Sequence, residues 1–176
     1  MLELEVTTGR LEFDRTIRSH FNPEAIYDAI SQLEGVELVE RRRFEHQTKC
    51  AEFVFNEQSQ EQWLSEETEA MWDNPLKFLQ AHGYSLEDEP MEGDIVAYAC
   101  KTPEETGIGP VDDQDFAGFA AKRKLLERQP PYFQHFGIYR RGKVLSKFNE
   151  GHVYLHDLSM IPSNYGSQVY FFRKTS

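Results

Sequence analysis

Residues 132–150, Tyr-Phe-Gln-His-Phe-Gly-Ile-Tyr-Arg-Arg-Gly-Lys-Val-Leu-Ser-Lys-Phe-Asn-Glu, constrain this chain more than any other stretch. Two apolar runs, 136–139 and 144–148, flank an Arg-Arg-Gly-Lys turn, which is the sequence signature of a β-hairpin. We read it as the centre of a sheet. His135 opens the hairpin beside Gly137, where a missing side chain lets another backbone or a ligand come close. A histidine in that position serves either chemistry or packing.

The rest of the chain sets the context. At 176 residues it is read as a single domain, 1–176, with a full core. Nineteen basic residues against thirty acidic ones give a net charge of -11, which repels phosphate backbones and anionic headgroups. Nucleic acid and membrane surfaces are therefore not expected partners. The basic runs Arg41-Arg42-Arg43 and Lys122-Arg123-Lys124 read as solvated faces. No apolar stretch reaches the length of a membrane span, and the acidic, alternating start Met-Leu-Glu-Leu-Glu-Val lacks the pattern of a secretory signal. The expected compartment is cytoplasmic. Cys50 and Cys100 are too few and too far apart for a disulfide framework, so each thiol is judged alone.

Read in order, residues 2–6 and 11–13 alternate apolar and acidic around Thr7-Thr8-Gly9-Arg10 and predict a small hairpin. A helix follows, capped by Asn22, opened by Pro23, striped with Ala25, Ile26, Ala29, Ile30 and Leu33, and stopped by Gly35. Residues 36–44 read as a strand, which makes 1–45 a small β-α-β extension. Cys50 falls in the first turn of a helix that Thr48 can cap, where unpaired amides and the positive dipole end favour thiolate. Ser59 with Gln62 resembles a capping box opening a helix that carries Trp63, Leu64, Met71 and Trp72. Asn74-Pro75 restarts a short helix that ends at Gly83, and 85–91 reads as an acidic loop.

Gly93-Asp94-Ile95-Val96-Ala97-Tyr98-Ala99-Cys100 has no alternation, as expected of a strand buried on both faces, so Cys100 reads as structural. Residues 101–131 break the sheet pattern with glycines, prolines and the aspartates Asp112, Asp113 and Asp115; we read them as an insertion, with a lid as one role. The aspartates lack calcium-loop spacing. His152 and His156 alternate on one strand face, yet four extended residues separate them by about 13 Å, too far to share one ion with Asp157. No metal or other cofactor is expected. A turn at Pro162, Ser163-Asn164 and Tyr165-Gly166 precedes a last strand over 167–173.

Three elements stand in order: a cysteine at a helix start, a Gly93-Asp94-Ile95-Val96 strand, and a His135-Phe136-Gly137-Ile138-Tyr139 strand with a short turn after it. This resembles the NlpC-type branch of the papain-like cysteine peptidases and amidases, over residues 47–148. The family's Asp-Cys-Ser-Gly-Phe pattern is met in part by Thr48-Lys49-Cys50-Ala51-Glu52-Phe53, which lacks the aspartate before the cysteine and the small residues after it. The resemblance implies an α+β papain-like fold, a Cys50 helix packed on an antiparallel sheet bearing His135, with 46–176 as the core. It implies catalytic Cys50 and His135 and a third polar residue on the next strand. A two-residue Arg141-Gly142 loop puts Ser146 on the His135 face; a loop one residue longer selects Lys147, which cannot accept an imidazole N–H. The implied function is a thiol hydrolase cleaving a peptide, isopeptide or amide bond. The alternative is a papain-like binding or interaction module that has lost the chemistry. Substrate and oligomeric state are not legible.

Overall fold

The computed structural model describes residues 1–5, 7–20, 22–41, 50–58, 71–106, 130–148 and 151–175. Its spine is the hairpin of β5 (Tyr132–Arg140) and β6 (Lys143–Lys147), closed by Arg141 and Gly142, both at positive φ. That two-residue, double-positive turn matches the right-handed twist of the strands it joins. It sets Arg140 opposite Lys143 and Gly137 opposite Ser146.

Around the hairpin an eight-stranded sheet runs in the order β1-β8-β4-β5-β6-β7-β2, with β3 also on β8. The further strands are β1 (Leu2–Glu3), β2 (Val36–Glu40), β3 (Tyr84–Glu87), β4 (Ile95–Cys100), β7 (Val153–His156) and β8 (Gln168–Lys174). Each of these pairings is antiparallel. The architecture is α+β, as expected. Strand β4, uniformly apolar, is buried at all six positions because β5 and β8 flank it and both its faces are covered.

Helices α1 (Thr8–Arg18) and α2 (Pro23–Ile30) cover one face, packing Phe13 and Ile30 with Val96, Tyr98, Val144, Tyr154 and Phe171. Helices α3 (Cys50–Gln58) and α4 (Pro75–Ala81) cover the other, packing Phe53, Val54, Phe55 and Leu79 with Ala97, Phe136, Ile138 and Phe172. Asn22 and Asn74 cap α2 and α4 through their side-chain oxygens, and a proline opens each helix, as the sequence predicts. Among the described residues no helix is long and apolar enough to cross a membrane.

Three readings change. Residues 11–13 are not a strand but belong to α1, because Thr7 caps the Arg10 amide and Phe13 and Ile17 then recur at helical spacing on the core side. The N-terminal segment is therefore β-α-α-β and is no appendage, since β1 pairs with β8 and β2 with β7 at opposite edges of the one sheet. The acidic 85–91 stretch begins as a strand: Tyr84 is buried, and its next three residues pair with β8. Thr48, residues 59–70 of the helix expected from Ser59 and residues 107–129 of the expected insertion lie outside the described residues.

Gly93-Asp94 forms a corner. Gly93 takes φ +91°, and the buried Asp94 carboxylate receives Arg173 Nε at 3.0 Å, Arg173 Nη2 at 2.8 Å and the Met91 amide at 2.8 Å. This bidentate clamp ties the start of β4 to the end of β8.

Candidate functional site

His135 sits opposite Tyr98 on β4, while two residues earlier Phe133 sits opposite Ala99, so one extra residue is accommodated at Gln134. The irregularity sends Phe133 to the α3 face, where it stacks on Phe136 at 5.9 Å, and leaves His135 on the α1/α2 face. There the imidazole packs against two rings that also neighbour each other: Tyr165, with centroids 4.5 Å apart and planes 16° off parallel, and Phe148, at 5.3 Å and 6°, the Phe148 and Tyr165 centroids being 6.1 Å apart. Gly137 admits neighbouring strand atoms and no ligand: a Cβ there would lie 2.4 Å from Val144 Cγ1 and 3.1 Å from Ser146 Cβ.

The ring of His135 is 0% exposed, and neither Nδ1 nor Nε2 has a hydrogen-bond partner among the described residues. Burial first, and neighbouring His156 second, hold its pKa well below the ordinary value, so the imidazole is neutral at physiological pH. A buried polar group of this kind costs about 1–3 kcal/mol when unpaired and belongs to the small set whose presence calls for a function.

The two-residue turn puts Ser146 on the His135 face and Lys147 on the other, where Lys147 is also fully buried. Ser146 does not orient His135. Its hydroxyl lies 2.8 Å from His156 Nε2, and His156 Nδ1 lies 2.9 Å from the carbonyl of Asp157. A carbonyl only accepts, so the His156 proton is on Nδ1 and Ser146 donates to Nε2. Burial lowers the His156 pKa to about 4. His152, the other β7 histidine, packs its ring 5.6 Å from Tyr27. Among the described residues no three His, Cys, Asp or Glu side chains are grouped to hold a metal ion.

Cys50 is the first residue of α3 and is 7% exposed. Helix α3 packs on β5 and β6 from the layer opposite to that which His135 faces. The structure therefore does not bring thiol and imidazole to one face: Tyr165 stacks on His135, and its hydroxyl is raised in pKa mainly by burial and further by the Cys50 thiol. Cys100 is sealed in β4, donates to the Asn164 carbonyl at 3.5 Å, and is pushed up to about 12, foremost by burial. It is structural, as its strand context predicts.

Tyr165 is held from behind. The buried Arg10 donates through Nη2 to the carbonyls of Ser163 (3.1 Å) and Gly166 (2.6 Å), on either side of it. Gly166, at φ +94°, lets that loop press on β4, where a Cβ would meet the Ala99 oxygen at 1.9 Å. The sequence reading treats 162–166 only as a turn and so misses Tyr165. It also misses Phe148 and the Ser146–His156 pair, since cross-strand partners leave no local mark; the one available signal is the aromatic Tyr165 set beside an obligatory glycine.

No family model matches the chain, and no curated protein or solved structure matches it either.

Proposed function

We propose that the protein is a thiol hydrolase in which Cys50 attacks a peptide, isopeptide or amide carbonyl and His135 transfers the proton. The observation that carries this reading is the His135 ring, neutral and buried, with neither nitrogen hydrogen-bonded among the described residues. The reaction requires the thiol, held on the α3 layer, and the imidazole, on the α1/α2 face, to come to one side of the hairpin; the Cys50 proton then passes to His135, and the thiolate forms a C–S bond to the carbonyl carbon. Backbone amides at the start of α3 receive the oxyanion, a contribution of about 3–4 kcal/mol per donor. The C–N bond then breaks, the amine leaves with the proton from His135, and water hydrolyses the thioester.

Alkylation by iodoacetamide at pH 6 tests the pair, with adducts mapped by mass spectrometry. Cys50 is expected to react at least tenfold faster than free cysteine, and His135→Asn to remove the excess. Equal rates for Cys50 and free cysteine would rule the reading out. Complete enclosure of His135, together with commitment of Ser146 to His156, favours the second reading, a papain-like binding module without turnover.

A further inference from the structure

Between α1, α2 and the loop that joins β7 to β8 lies a cleft of about 260 Å³. Phe13, Ile30, Phe148 and Tyr165 are its buried walls, and the exposed Pro23 and Asn164 stand at its mouth. None of the ten described residues that line it carries a formal charge. Two of those walls, Phe148 and Tyr165, are the same rings that enclose His135.

We propose that this cleft receives the aromatic side chain of an uncharged peptide or amide ligand. The assignment names the substrate class for the thiol-hydrolase reading and rests on it for its catalytic meaning. Size comes first: an apolar cavity of about 150 Å³ lodges benzene, so 260 Å³ takes a benzyl group and the atoms that attach it. Chemistry follows. A charged group would be desolvated here among hydrocarbon with no counter-charge from the described lining residues, and an anion would also meet a chain of net charge -11. A ring, by contrast, meets the faces and edges of Phe13, Tyr27, Phe148 and Tyr165, and the Asn164 amide at the mouth suits a ligand amide. Position completes the argument, because a ring seated on Tyr165 presses on the side chain stacked against His135.

Titration calorimetry on the full-length Cys50→Ala protein tests this without turnover. N-acetyl-L-phenylalaninamide is expected to bind at least tenfold more tightly than N-acetyl-L-alaninamide, hexanamide or N-acetyl-L-phenylalanine. Ile17→Trp, which fills the cleft from α1, is expected to weaken the phenylalaninamide tenfold; Ile26→Trp does the same from α2 if the first variant fails to fold by circular dichroism. Equal affinities for the phenylalanine and alanine amides, undetectable binding of both, tighter hexanamide binding, or indifference to a folded tryptophan variant would each overturn the assignment. Selective binding with Cys50 alkylated in the wild type no faster than free cysteine would leave the cleft standing and remove the hydrolase. Fast alkylation without selective binding would do the reverse.

Discussion

Replacing His135 by phenylalanine isolates the energetic signature of the enclosed imidazole. In the unfolded chain a histidine binds a proton near pH 6.5. In the folded protein burial and His156 hold the His135 value well below that. A base whose folded pKa is depressed contributes stability that is intact above pH 6.5 and is lost as pH falls below it, because the unfolded state alone takes up the proton. Between pH 7.5 and pH 5.0 the loss amounts to about 2 kcal/mol for this one ring. His135→Phe abolishes it. At pH 7.5 the substitution removes a buried, unpaired N–H, a gain of about 1–3 kcal/mol, and crowds a slightly larger ring against Phe148 and Tyr165 at a comparable cost. The two proteins are thus of similar stability there. At pH 5.0 the variant is the more stable by about 2 kcal/mol, or about 4–8 °C in Tm for a chain of this length. Urea unfolding followed by circular dichroism at both pH values measures the difference, and the background titration of the carboxylates cancels between the two proteins. A gap that stays constant from pH 7.5 to 5.0 would refute the reasoning, since the folded ring would then be taking up the proton as readily as the unfolded one.

Two further substitutions probe what surrounds the ring. Gly166→Ala combines a positive φ with a Cβ aimed at the Ala99 carbonyl, and is expected to cost more than about 3 kcal/mol in urea unfolding. Ser146→Ala leaves His156 Nε2 buried without its donor and is expected to cost about 1–3 kcal/mol, while the iodoacetamide rate at Cys50 stays within twofold because the hydroxyl serves His156 and not His135.

The parts of the fold that sequence reveals are those dictated within a few residues. The Arg141-Gly142 turn, the Asn-Pro openings of α2 and α4 and the unbroken apolar run of β4 each carry their own cause, and each forms where expected. Helix α1 is concealed because Leu-Glu-Leu-Glu alternation leads into Thr7-Thr8-Gly9 and imitates a hairpin, although Thr7 is its cap. Strand β3 is concealed by its acidic surroundings, its stability coming from β8 almost ninety residues away. At the site, Cys50 at the head of a helix and His135 on the central strand follow from local pattern. What decides their surroundings does not: the extra residue at Gln134, the Tyr165 plate and the Ser146–His156 bond all arise between segments distant in sequence.

Strand β8 meets β4 along one side, and β1 and β3 end to end along the other. It follows all three in the chain, so during synthesis each of them waits with an open backbone edge until β8 emerges. Nucleation must then begin in the β5–β6 hairpin, whose contacts are local, and closure of the sheet is its slow final act. A chain truncated shortly before residue 168 would therefore leave β4, β1 and β3 without their partner strand and open to any other strand in reach.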